Sequence, residues 1–190
     1  VIFILPAIIA VVGILVMTKS NASEVYVSET PLPDFNKYDN LFKKYGQMYS
    51  IPWQWLKAIS IVESNIGRAP SVKKGLANPY DREGSKSSDG LSWGLMQVTE
   101  NTASQFESGI THVELNDPEI SVRLAAKYLA WSQKNYFPSD KEGLIRSYNG
   151  GPGWKKTNAG PNLTAQYYSK FLSALQSVLA DSGQPEMSFS

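Results

Sequence analysis

Between Asp34 and Leu179 most apolar residues recur every three or four positions, the period of helices that bury one face. Phe35, Tyr38, Leu41, Phe42, Tyr45 and Tyr49 make the first such stripe and predict a helix from Asp34. Ile51-Pro52 restarts the chain, because proline suits the first turn of a helix. The helix behind it runs through Trp53, Leu56, Ile59 and Val62 towards Glu63. Asn65 to Ser92 shows no period and is rich in Gly, Ser, Lys and Asp, which predicts a long loop with room for a small hairpin. A loop of that length in a compact domain usually carries function. Thr99 predicts the N-cap of a short helix through Phe106. Asp117-Pro118-Glu119 starts another, with Ile120, Leu124, Ala125, Tyr128 and Trp131 on one stripe. Ser139-Asp140-Lys141-Glu142 reads as a capping box for a helix reaching Tyr148, which Gly150-Gly151-Pro152-Gly153 ends. Leu163, Tyr167, Phe171, Leu172, Leu175 and Leu179 define a last amphipathic helix. The fold class is mainly α.

The first residues break this pattern. Val1 to Met17 is apolar throughout, with no charge before Lys19. As a helix it would be about 26 Å long, near the short limit for crossing a hydrocarbon core of about 30 Å. A chain that opens on Val rather than Met leads us to expect further residues upstream. Its length favours a retained anchor; a signal peptide cleaved near Ser20-Asn21-Ala22 also fits, and either places the remaining chain outside the cytoplasm. The expected organisation is an apolar helix over 1–19, a polar linker with Pro31 and Pro33 over 20–34, one domain over 35–180 and a flexible tail over 181–190.

Composition removes several chemistries. The 190 residues allow one ordinary domain beside the apolar segment, and 42% hydrophobic residues suffice for a core. A net charge of +1, with lysine pairs scattered rather than clustered, argues against a nucleic-acid partner. Without cysteine there is no disulfide framework, thiolate metal site or Cys nucleophile. His112 is the only histidine, which excludes a His-rich zinc site, and its surroundings read as a loop. Neither metal nor cofactor is expected.

Three places stand out chemically. Glu63 closes a mostly apolar helix, although an ionised carboxylate is costly to take from water. Gly94-Leu95-Met96-Gln97 joins a flexible glycine to an amide side chain. Tyr148-Asn149-Gly150-Gly151 ends a helix on two polar side chains and a backbone free to turn.

Taken in order, Glu63-Ser64, Gly94-Leu95-Met96-Gln97, Ser147-Tyr148-Asn149-Gly150-Gly151-Pro152-Gly153 and Thr164-Ala165-Gln166-Tyr167 resemble the soluble-lytic-transglycosylase (SLT) domain of peptidoglycan-cleaving enzymes. The resemblance covers about Tyr38 to Leu179. It implies a lysozyme-like helical fold with a groove for the alternating N-acetylglucosamine and N-acetylmuramic acid strand. It makes Glu63 the sole catalytic carboxylate, acting as acid and then as base to leave a 1,6-anhydromuramoyl end. An acid working near neutral pH needs a raised pKa, which a partly desolvated pocket supplies. Gln97 and Asn149 correspond to positions that hydrogen-bond the sugar, and Met96 to one lining the groove. Tyr148 and Tyr167 match tyrosines whose hydroxyls would orient Glu63, and Ser64 would help position it. Trp93, beside Gly94, is expected near the groove.

The connection from Glu63 to Gly94 is longer than in many SLT domains, and Thr99 stands where many have Met. The long connection also resembles goose-type lysozymes, which hydrolyse the same bond and carry acidic residues in this loop; Asp89, Asp81 and Glu83 lie near that place. A non-catalytic glycan-binding or assembly module is a third reading. The implied partners are peptidoglycan strands, a membrane through the first helix, and components of secretion, cell-wall or virion machinery.

Overall fold

The computed structural model describes residues 34–80, 90–156 and 160–183. The expected N-terminal apolar helix, the linker up to residue 33, the loop acids Asp81, Glu83 and Asp89, and the tail beyond residue 183 lie outside the described residues. Among those described, no helix is long and apolar enough to cross a membrane.

Eight α-helices, a short 3-10 helix (Trp154–Lys156) and a two-stranded hairpin make up the described domain. The helices are α1 (Asp39–Tyr49), α2 (Trp53–Ser64), α3 (Pro70–Ala77), α4 (Glu100–Ser104), α5 (His112–Leu115), α6 (Pro118–Asn135), α7 (Lys141–Gly150) and α8 (Gly160–Asp181). Strands β1 (Ser92–Trp93) and β2 (Val98–Thr99) pair antiparallel, Ser92 opposite Thr99 and Trp93 opposite Val98.

Helix α2 is the axle. Every residue from Gln54 to Ser60 is buried, as expected of a helix covered on all sides rather than along one stripe. It packs against α1 and α6, and most extensively against α8. Leu56, Ile59, Leu129, Ile145, Phe171 and Val178 are among the side chains that this packing removes from water. Lys57 is only 1% exposed, and a buried ammonium is tolerable only with partners. Its Nζ lies 2.8 Å from Asp39 Oδ1 and donates to Asn36 Oδ1 at 2.6 Å, fastening α2 to the start of the domain.

Helix starts reflect the local chemistry. Thr99 accepts the Thr102 N–H at 3.0 Å, and Asp117 accepts those of Glu119 and Ile120 at 2.7 and 3.1 Å. At α7 the expected Ser139–Glu142 box is replaced by Asp140, whose Oδ1 accepts the Gly143 N–H at 2.7 Å. A true capping box occurs instead at Thr111 and Glu114. The first helix begins at Asp39, after a turn, rather than at Asp34. Helix α3 falls inside the stretch expected to be loop; it buries only Val72 and Gly75, too few positions to print a period. Leu163, expected on the buried stripe of α8, is exposed.

Candidate active site

Glu63 sits in the last turn of α2, half-buried, because the helix ends abruptly behind it. Asn65, Ile66 and Gly67 all take positive φ (50°, 53° and 81°), a conformation that costs a β-branched side chain about 1–2 kcal/mol. Ser64 holds this turn. Its buried hydroxyl accepts the Gly67 N–H at 2.9 Å and donates to the Leu95 carbonyl at 2.7 Å. The helix end that carries Glu63 is thereby tied to the hairpin turn Gly94–Gln97.

That turn is held from every side. Gly94 has φ +74°, and a Cβ there would overlap the Leu115 carbonyl oxygen, so only glycine fits. The Met96 N–H donates to Ser121 Oγ at 3.0 Å, and the Met96 carbonyl accepts the Tyr148 hydroxyl at 2.8 Å. Gln97 itself has φ +50° and donates its Nε2 to the Gly94 carbonyl at 2.9 Å. A non-glycine residue kept in this region by its surroundings is typical of functional turns.

From α8 the Tyr167 hydroxyl donates to Glu63 Oε1 at 2.7 Å. Burial, and then the negative charge of Glu63, push the Tyr148 and Tyr167 phenols well above the ordinary tyrosine range. Both therefore remain protonated donors at any neutral pH.

Glu63, Gln97, Tyr148 and Asn149 share the wall of one cavity of about 750 Å³, within the range of ligand sites. Ser71 from α3, Thr99 and Thr102 at the start of α4, and Tyr128 and Trp131 from α6 extend that wall. Among its described lining residues Glu63 is the only carboxylate. Among the described lining residues it is the one side chain suited to give and take a proton near neutral pH, and the amides of Gln97 and Asn149 on the same wall suit hydroxyl and acetamido groups.

Other expected site residues sit elsewhere. Ser64 and Met96 are buried and do not reach the cavity wall; Met96 contributes its backbone, its side chain being fully enclosed. Tyr148 does line the cavity, but its hydroxyl goes to Met96 rather than to Glu63. Tyr167 lies behind the wall, buried, and reaches Glu63 from there. Trp93 is core, 2% exposed, with its ring 5.1 Å from that of His112. Conversely, Tyr128 and Trp131, whose period reads as core, line the cavity. Their spacing of three at the edge of the α6 stripe is the one sequence sign of it.

The sequence model of the transglycosylase SLT domain matches residues 40–170. No curated protein matches the chain. Among solved structures it is similar to the lytic transglycosylase Slt of Pseudomonas aeruginosa, determined by X-ray as an inactive mutant with glutamine in place of a glutamate. The TM-score is 0.59 at 20% identity, over 80% of this chain and 25% of that one. The likeness is one of fold, and the chain spans about a quarter of that relative's length. Match and fold together span most of the chain: it belongs to the transglycosylase SLT-domain family.

Proposed function

We propose that this protein is a peptidoglycan lytic transglycosylase that cleaves the β-1,4 bond between N-acetylmuramic acid and N-acetylglucosamine. The observation that carries the reading is Glu63, the only carboxyl among the described residues of a sugar-sized cavity, gripped by the Tyr167 hydroxyl. Glu63 in its acid form protonates the glycosidic oxygen as the bond to the anomeric carbon breaks. The resulting carboxylate takes the proton of the muramoyl 6-hydroxyl as that oxygen bonds to the same carbon. The product carries a 1,6-anhydro ring, no water is consumed, and Glu63 regains its proton. The substrate's own N-acetyl group stabilises the cationic transition state, so the second carboxylate of most glycosidases is dispensable. Gln97 and Asn149 orient the sugar by hydrogen bonds, and Tyr167 orients the acid. Inactivity of the Pseudomonas aeruginosa relative with a glutamate replaced supports a reaction that hangs on one carboxyl. The work is done outside the cytoplasm, with residues 1–19 as the means of placing the domain there.

The test is digestion of purified sacculi by the wild type and Glu63→Gln, with mass spectrometry of the released muropeptides. Anhydro ends from the wild type and none from the variant are expected. Reducing ends would make the enzyme a hydrolase, and equal digestion by both proteins would remove Glu63 from the chemistry.

A further inference from the structure

From the ring geometry on the cavity wall we infer that Trp131, with Tyr128 and Gln105, forms a saccharide platform away from the reacting bond, which sets the length of glycan the enzyme grips. The inference rests on the transglycosylase reading and adds to it a determinant of chain length.

The rings form a continuous series. Tyr148, on the wall with Glu63, meets Tyr128 at 5.7 Å between centroids and 83° between planes. Tyr128 meets Trp131 at 5.9 Å, and Trp131 meets Tyr136 at 5.2 Å. Tyr136 is 52% exposed, so the series runs from the reacting carboxyl's wall out to solvent. Phe106 packs edge-on against Trp131 at 6.0 Å and 76°. Rings packed against it at 42°, 64° and 76° fix the indole plane, and the indole, only partly buried, remains on the cavity wall.

The chemistry of this arm suits a neutral sugar. Pyranoses carry an apolar face of C–H bonds that stacks on an aromatic ring, while their equatorial groups need amides and hydroxyls. The Tyr128 hydroxyl is committed to the Ser147 carbonyl at 2.7 Å, so its ring rather than its polar end serves the cavity. Thr102 and the exposed Gln105 supply polar contacts on the same wall. None of Thr102, Gln105, Tyr128 and Trp131 carries a charge, which matches an N-acetylated hexose better than the carboxylates of a peptide stem. Partly exposed rings grouped at a cavity edge are the kind of apolar surface that marks a ligand groove.

The test uses the Glu63→Gln protein, which binds without turnover, and N-acetylglucosamine oligomers from the dimer to the hexamer, measured by calorimetry. Adding Trp131→Ala is expected to weaken the longest oligomer about tenfold, worth about 1.4 kcal/mol, and to leave the dimer unchanged. Gln105→Ala, at an exposed position that the core does not need, is expected to give a smaller loss, again confined to long oligomers. Equal weakening of short and long oligomers would reduce Trp131 to a support of the fold, and unchanged affinity for all would leave nothing bound there. Either result overturns the inference while the transglycosylase reading stands. If no oligomer of any length bound the Glu63→Gln protein, the platform would fall, and the sacculus digestion would decide the transglycosylase reading separately.

Discussion

The Tyr167 hydroxyl donates to Glu63 Oε1 across 2.7 Å, joining side chains 104 positions apart in the chain. Period alone makes Tyr167 an ordinary core residue of α8, and Tyr168 beside it an equal candidate for the inner face. The fold separates them: Tyr167 is 6% exposed and turned to the acid, while Tyr168 stacks on Phe171 at 6.2 Å. Tyr167→Phe keeps the ring and deletes the bond. We expect turnover to fall by about tenfold to a hundredfold, with KM little changed, because the ring is off the cavity wall. Steady-state kinetics on soluble glycan strands would check this; wild-type turnover would disprove the positioning role.

Tyr148→Phe should behave differently. Its hydroxyl satisfies the Met96 carbonyl at 2.8 Å, and a buried acceptor left alone costs about 1–3 kcal/mol. Ser64→Ala strips the Leu95 carbonyl of its side-chain donor and the Gly67 N–H of its acceptor, with a loss of similar size. Denaturant melts should show both variants less stable, with activity lowered because Gln97 sits on the turn they loosen. Undiminished stability in both would contradict this account.

Gly94→Ala tests the tightest approach in the site. Gly94 and Gly109 share a positive φ, 74° and 78°, but an added Cβ meets the Leu115 carbonyl oxygen at Gly94 and nothing within 4 Å at Gly109. Gly109→Ala should cost about 1 kcal/mol, the expense of the backbone conformation alone. Gly94→Ala should cost more than about 4 kcal/mol or prevent folding. Similar melting temperatures for the two would show that the hairpin turn yields easily.

The two most strongly raised phenols contribute to alkaline stability. Tyr148 and Tyr167 are raised well above 10.0, first by burial and then by the Glu63 charge. The unfolded chain releases these protons from about pH 10 and the folded one does not, so their contribution to stability is constant below that pH and falls as pH rises above it. Melts from neutral to strongly alkaline pH should show the fall, and the Tyr148→Phe, Tyr167→Phe double variant should show a shallower one. An equal slope in the double variant would assign the effect to other groups.

Much of this architecture is legible in the chain because burial imposes a period. Helix α2 announces itself through Trp53, Leu56, Ile59 and Val62, and α6 through its Asp117-Pro118 start. The cluster of Glu63, Gln97, Tyr148 and Asn149 is readable only from the order of short motifs, since its members come from separate elements. The hidden part depends on direction within tight turns. Ser92 and Trp93 are neighbours in a strand and so face opposite ways: the serine lines the cavity and the indole enters the core. Met96 and Gln97 part company in the same fashion, because the positive φ of Gln97 swings the chain between an enclosed side chain and an open one. Helix α3 and the rings of Tyr128 and Trp131 take their places from the tertiary packing itself.

Helix α8 is also the last part of the domain to leave the ribosome, and it brings Tyr167 with it. A nascent polypeptide that stops short of Gly160 has the acid but not the phenol that steadies it, nor the helix that covers α2. Products that end before Gly160 are thus expected to be inert toward sacculi, and on the proposed reading the chain acts on peptidoglycan only after α8 has been made.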